Sequence, residues 1–444
     1  MTDSAPSAPP SRLLGFWTCT ALVIGNTIGI GIFVLPAVLA PFGFNALIGW
    51  GVTVLGCVVL ARVFARLARE FPQADGPYGY IRATVGDTAA FLAIWSYWLS
   101  LWITNAALAI GVVGYLQVIV PGLTGAMPLP LLALGLLWLF LAINLLGVRA
   151  SGPVQVLMTS LKLLPMAAVI IFGLWMLLSQ PAAYVRDLPP TPITLPLVMA
   201  ASTIALFAML GFESATVPAS RVLDPGRTIP RATLVGTLVT AGIYIAISAI
   251  PMLLIPQAEL AKSQAPFADL LSQELGAGSG RWLALFVVVS GLGALNGWTL
   301  LSGELTRTMA LNGVLPAVFT RTNRRGAPVL ALLVTSGLAS IMVLMNYSKS
   351  LVQGFAFLSK MVTAANLPLY LFAALALVAL WRRGERSPAR DLLVFGVLGT
   401  AYSVFAFIGV GGEPFLWALA LAALGLPIYL LMRRRASEPA AAAE

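Results

Sequence analysis

Two short stretches of this chain could do chemistry without a catalytic side chain. One is Gly25-Asn26-Thr27-Ile28-Gly29-Ile30-Gly31-Ile32-Phe33, with Pro36 beyond it; the other is Leu210-Gly211-Phe212-Glu213-Ser214, followed by Pro218. Each lies in an apolar run long enough to be a helix. Glycine costs a helix about 1 kcal/mol relative to alanine, and proline costs more. A helix interrupted there offers unpaired N–H groups at one new end and unpaired C=O groups at the other. The amide end suits a carboxylate, and the carbonyl end suits an ammonium group or a cation, so a molecule carrying both charges fits such a gap. Close helix packing through small residues competes as an explanation of either stretch taken alone.

Ionisable residues inside apolar runs are the next chemical signal. Glu213 abuts the second stretch, where it is either a proton carrier or an acceptor for neighbouring backbone groups. Lys162, in Gln155-Val156-Leu157-Met158-Thr159-Ser160-Leu161-Lys162-Leu163-Leu164-Pro165, must find a partner, shed its proton or snorkel to the surface. Lys360 poses the same question. Glu304 is expected to pair with Arg307 one turn on. Aromatics gather in Trp95, Tyr97, Trp98 and Trp102, where Trp95 and Trp98 read as interfacial anchors. Tyr97, Ser100, Thr104 and Asn105 place a polar stripe on one helical face. Trp298 falls mid-run, where its ring either stacks on a cationic substrate tail or packs the core.

The elements that carry these residues are dictated by composition. The chain has 444 residues, 59% of them apolar and only 9% charged, against about 25% charged in ordinary soluble domains. A soluble enzyme, a fibre and a disordered chain are excluded; this is an integral membrane protein. Apolar runs of spanning length recur about twelve times, over 13–40, 44–67, 88–120, 129–146, 153–178, 195–220, 231–255, 281–310, 329–346, 351–381, 392–410 and 414–432. The fold expected is therefore all-α, with residues 13–432 as a single transmembrane domain between polar cytoplasmic tails at 1–12 and 433–444. The first run is too long for a signal-peptide core and reads as a retained helix. With the N-terminus in the cytoplasm, the loops place twenty Lys and Arg inside and four outside, as the positive-inside rule requires. Both termini are then cytoplasmic in a multi-pass protein of the inner (plasma) membrane. The two punctuated runs, first and sixth, stand at equivalent places in two five-helix halves. That suggests inverted repeats (helices 1–5 and 6–10) plus two further helices, with helices 1 and 6 broken mid-membrane.

Other readings are narrowed by what the sequence lacks. The net charge of +10 comes without basic patches interleaved with aromatics, which argues against nucleic acid. No histidine is present, so any proton-linked step must use carboxylate, lysine or tyrosine. Cys19 and Cys57 read as buried small apolar residues, and neither a metal site nor a cofactor is expected. No HExxH, GxSxG or P-loop pattern occurs, which argues against a membrane enzyme and a primary pump. The short tail after Met432 argues against a receptor with a soluble output region.

Five segments, in order, carry a resemblance to the amino acid/polyamine/organocation transporters. They are Gly29-Ile30-Gly31-Ile32-Phe33-Val34-Leu35-Pro36-Ala37, Gly76-Pro77-Tyr78-Gly79-Tyr80, Tyr97-Trp98-Leu99-Ser100-Leu101-Trp102-Ile103-Thr104-Asn105, Gly211-Phe212-Glu213-Ser214-Ala215 and Gly297-Trp298-Thr299-Leu300-Leu301. Within that superfamily the chain resembles the arginine/agmatine antiporters of the basic amino acid/polyamine antiporter family. The resemblance implies two inverted five-helix repeats plus two helices (a LeuT-like fold) working by alternating access. It implies that the loop Gly29, Ile30, Gly31 binds the substrate carboxylate, and that carbonyls near Thr27, Phe207 and Leu210 take the amino group. Asn105, with Ser100 and Leu101 nearby, would meet the side-chain end, and Trp298 would stack on it. Tyr78, Tyr97, Phe207 and Trp298 are the implied gating residues, and Glu213 the proton-linked carboxylate. The pattern departs in three places. Ile30 stands where a serine hydroxyl is usual, leaving only backbone donors for the carboxylate. Phe207 replaces a gating tryptophan, a weaker face for guanidinium. Lys162 resembles instead the fifth-helix lysine that fills a sodium site in other members, which argues against sodium coupling. Relatives are commonly dimeric, so a homodimer is suggested, besides small-molecule substrate and membrane lipid as partners.

The function expected is secondary active transport of amino acids, as an exchanger of a basic amino acid for its decarboxylated amine or for another amino acid. The alternative is a proton-coupled uptake permease of neutral or broad specificity.

Overall fold

The computed structural model describes residues 15–71, 74, 76–122, 127–146, 151–179, 191–212, 222–346, 348–384 and 390–437. All regular elements among them are helical. Eight helical stretches are long and apolar enough to cross a membrane. They are α3 (Asn45–Glu70), α5 (Asp87–Ile119), part of α7 (Ser151–Ser179), α9 (Pro225–Leu254), α12 (Ala277–Leu311), α14 (Leu351–Arg383), α15 (Arg390–Val410) and the pair α16 (Gly412–Ala423) and α17 (Gly425–Ser437).

The other four runs read from the sequence are held in shorter apolar helices. The first is α1 (Phe16–Thr27) with α2 (Gly31–Leu39), and the sixth begins as α8 (Leu195–Met209). Runs four and nine are α6 (Leu129–Leu145) and α13 (Val329–Met345), of 17 residues each, or about 26 Å of helix against a hydrocarbon core of about 30 Å. Three further helices are short: α4 (Gly76–Thr84), α10 (Gln257–Leu260) and α11 (Pro266–Leu275).

Helix α5 is the axis of the molecule. It is buried along most of its length and packs chiefly on α14 and α12. Its sequence explains the position, because apolar residues surround it on every face and Gly111 and Gly114 admit close neighbours. Trp95 and Trp98 are correspondingly not interfacial anchors. Both are buried, the Trp95 indole donating to Leu421 O at 3.2 Å and the Trp98 indole to Thr306 Oγ1 at 2.6 Å. A tryptophan inside a bundle needs such an acceptor, and a local sequence window does not reveal one from another helix. By contrast α16 and α17 expose Leu416, Leu419, Leu424 and Leu430, the surface expected of helices facing lipid. Cys19 and Cys57 are buried, with neither in a disulfide.

One end of the bundle is held by charge. Arg383, in the last turn of α14, donates to Ala83 O at 3.1 Å and Thr84 O at 2.9 Å, the orphan carbonyls at the end of α4. Arg82 pairs with Asp87 at 2.7 Å, and Arg66 reaches Glu70 at 3.3 Å and Asp391 at 3.7 Å.

Candidate functional site

The first glycine-rich stretch is a break in the helix. Helix α1 stops at Thr27, Ile28 is extended (φ −76°, ψ 106°), and α2 starts again at Gly31 without a side-chain cap. The orphan carbonyls at the end of α1 have found donors. Lys162, 5% exposed, brings its Nζ to Gly25 O at 3.3 Å, and the Tyr244 hydroxyl donates to Thr27 O at 2.8 Å. An ammonium at a helix C-terminus is electrostatically favourable. Lys162 has a partner in Gly25 O, and its side chain does not snorkel to the surface. Tyr244, on α9, has no local signature in the sequence, being one tyrosine in a long apolar run.

The amide end of the break is lined by close contacts. A Cβ on Gly31 would lie 2.9 Å from Phe207 Cε1, so the aromatic ring sits directly on that glycine. A Cβ on Gly29 would meet Leu108 Cδ2 at 3.7 Å and Ala294 Cβ at 3.9 Å, placing this residue between α5 and α12. Ile30 is fully buried, its side chain set between Gly111 and Gly291. The isoleucine at this position is thus a packing residue that wedges the break against α5 and α12. Phe207 in turn meets Phe355 edge to face at 5.6 Å.

The second stretch is also interrupted. Helix α8 ends at Met209, Leu210 is extended (φ −61°, ψ 140°) and Gly211 has φ +103°. That conformation favours glycine and explains its presence there. Phe212 is packed against Phe64 and Tyr370. Glu213 lies outside the described residues.

Four elements therefore bring most of the expected residues together: the α1–α2 break, the end of α8, and the middles of α5 and α12. Asn105 is 4% exposed and donates through Nδ2 to Ser302 Oγ at 3.2 Å; Ser302 Oγ donates to Trp298 O at 2.8 Å. This chain couples α5 to α12 and fixes the amide, while Asn105 Oδ1 is buried and has no protein donor among the described residues. It is an acceptor available to a substrate's cationic group. Thr27, Ser100, Leu101 and Leu210 are buried, and Tyr97 and Trp298 are half-buried. Ser100 Oγ is spent on Tyr97 O at 2.7 Å. Ser302 joins Tyr244 as a site residue that sequence reasoning missed.

Three residues stand apart from this cluster. Tyr78 is on α4, where burial pushes its phenol above the usual value with the Arg82 charge opposing. Its neighbour Tyr80 is pushed up to about 12 by burial. Both phenols stay neutral across physiological pH, so a pH response in this region must titrate another group. Lys360 is half-buried on α14. Glu304 does not form the expected pair: Arg307 instead donates through Nε to Thr320 O at 3.4 Å, drawn toward the 3-10 turn Ala317–Thr320.

Long apolar helices around two interrupted ones define a multi-pass membrane protein, and its family and relatives are transporters, not enzymes. A crystal structure of a manganese transporter variant from Eremococcus coleocola has this fold, with a TM-score of 0.55, 16% identity, and coverage of 94% of this chain and 95% of that one. More particularly, the chain belongs to the amino acid permease family, whose match spans residues 14–428. It is 31% identical to a putative arginine/ornithine antiporter of Bacillus subtilis, over 94% of this chain and 96% of the relative. It is 30% identical to the Escherichia coli putrescine transporter PotE, over 97% and 98% of the two chains. The Escherichia coli cadaverine/lysine antiporter is also 30% identical, over 77% of this chain and 76% of its own length.

Proposed function

We propose that this protein is a secondary active exchanger in the inner membrane, trading a basic amino acid for its decarboxylated amine or for another amino acid. The observation that carries the reading is the α1–α2 break beside Asn105. The restart of the helix at Gly31 has no side-chain cap, and Asn105 Oδ1 is a buried acceptor with no protein donor among the described residues. A carboxylate at the amides, an ammonium near the carbonyls of Thr27, Phe207 and Leu210, and a cationic tail at Asn105 under Trp298 make one consistent pose. The names of the relatives support this chemistry, since ornithine with putrescine and lysine with cadaverine each differ by one carboxylate.

In this reading residues 13–432 form twelve spans as two inverted five-helix repeats plus two, and both termini are cytoplasmic. Phe207 and Tyr97 close the outer path, Trp298 and Tyr78 take part in gating, and a homodimer is the assembly. Lys162 at Gly25 O holds the place of a cation, which supports a sodium-independent cycle. That same buried ammonium favours the second reading, a proton-coupled permease of neutral or broad specificity, because a lysine in this position can carry a proton.

Counterflow in proteoliposomes tests the proposal. Vesicles preloaded with labelled substrate should release it only when arginine, ornithine, lysine or an amine is supplied outside. Release driven by a proton gradient alone would favour the permease. Glu213→Ala should abolish the pH dependence of transport, and an unchanged profile would remove Glu213 from that role.

A further inference from the structure

A cavity of about 290 Å³ is lined by residues outside the central break. Its walls come from α5 (Ile110), the start of α6 (Leu129), the loop before α11 (Gln264) and the turn into α14 (Asn346, Lys349, Ser350). None of these belongs to the site described above. In the topology read from the Lys/Arg distribution, this is the outer side.

Two acceptors there have no protein donor among the described residues. Asn346 is 5% exposed, and its Nδ2 donates to Met342 O at 2.8 Å, which fixes the amide and leaves Oδ1 buried and unpaired. Gln264 Oε1 is likewise buried without a donor. A buried acceptor left unpaired costs about 1–3 kcal/mol, and an ammonium group supplies three donors. The lining also carries positive charge. Helix α14 begins at Leu351, and its capping box joins Ser350 and Gln353, leaving the first-turn amides of Leu351 and Val352 at a helix N-terminus. Lys349 adds its charge, with Nζ 3.7 Å above the Phe357 ring and 4.0 Å from Glu413 Oε1.

We infer that this cavity is an outer binding site for the zwitterionic head of an α-amino acid. Asn346 and Gln264 take the ammonium, and the start of α14 with Lys349 takes the carboxylate. A diamine satisfies the two amides but places its second charge beside Lys349, with no carboxylate among the lining residues and Glu413 already engaged by Lys349. The site therefore selects amino acid over amine. Its walls continue into the gate: Ile110 adjoins Gly111, and Gly354 adjoins Phe355, which packs on Phe207. That the site loads amino acid for exchange rests on the proposed function; that it binds amino acid does not.

Ornithine and putrescine form a matched pair of probes, differing by the carboxylate alone. Equilibrium dialysis of the full chain in nanodiscs should give two L-ornithine bound per chain and one putrescine. Asn346→Leu and Gln264→Leu should each lower the ornithine count to one and leave putrescine at one; Gln264, in a loop, serves if Asn346→Leu fails to fold. Trp298→Ala should weaken the central site and leave the outer ornithine in place. A wild-type ornithine count of zero, or a count that both leucine variants leave unchanged, overturns the inference. The exchange reading is judged separately, by counterflow.

Discussion

The two helix interruptions are built differently. At the first, the carbonyl end is anchored by side chains from other helices: Lys162 on Gly25 O and Tyr244 on Thr27 O. At the second, the described residues show extended Leu210 and positive-φ Gly211, and the neighbouring Phe207 lies across Gly31 as an apolar cover. An anchored polar end resists rearrangement, because moving it strands buried carbonyls. An aromatic cover held by ring contacts moves at lower cost. In the proposed exchange cycle, the difference gives binding polarity to the first break and closure to the second.

Lys162→Met should break the comparison most severely. A hydrogen bond to a charged group is worth about 1.5–3 kcal/mol, so initial exchange rates in proteoliposomes should fall roughly 10- to 150-fold. Added sodium should not change the wild-type rate. A variant with normal exchange would mean that the carbonyl end needs no anchor.

Gly31→Val tests the cover. Its Cβ would stand 2.9 Å from the Phe207 ring, an overpacking that costs about 1–3 kcal/mol. Exchange should drop about tenfold, and Phe207→Leu in the same chain should restore most of it. Failure of that rescue would place the glycine requirement in the backbone and not under the ring.

Tyr244→Phe removes only the hydroxyl from Thr27 O, a neutral hydrogen bond worth about 1 kcal/mol. Substrate affinity should weaken about fivefold while the packing against Trp50 stays intact. An unchanged affinity would reduce Tyr244 to a packing residue and leave Lys162 as the sole anchor under test.

These effects separate what sequence can reveal from what it cannot. The breaks were legible because glycine and proline inside apolar runs oppose helix locally, and that opposition needs no partner. Asn105 on α5 and Trp298 on α12 stand out for the same local reason, in otherwise apolar surroundings. Long-range pairings were not. Nothing near Tyr244 or Ser302 announces a partner on another helix, and Trp95 and Trp98 were misread as anchors because their acceptors, Leu421 O and Thr306 Oγ1, lie far along the chain. Glu304 failed for a related reason: an i,i+3 spacing permits a pair with Arg307, but the Thr320 carbonyl competes for that guanidinium. Ile30 was correctly seen to lack a hydroxyl, while its packing role needed Gly111 and Gly291 to be brought together by the fold.

The smallest expected effect sharpens the closure role. Phe207→Trp enlarges the aromatic face over Gly31, and tryptophan is the better partner for a cation; such contacts are worth about 0.5–1 kcal/mol at partly exposed sites. Phe207 is 6% exposed and already meets Phe355 edge to face, so the larger indole must share space with that ring. The gain should therefore appear as selectivity, not as rate. Arginine, whose planar guanidinium stacks on aromatic faces, should compete two- to fivefold better against lysine in the variant than in the wild type. Equal improvement for both would locate the effect in the apolar cover, and no change would show that the Phe207 ring does not face the cationic end of the substrate.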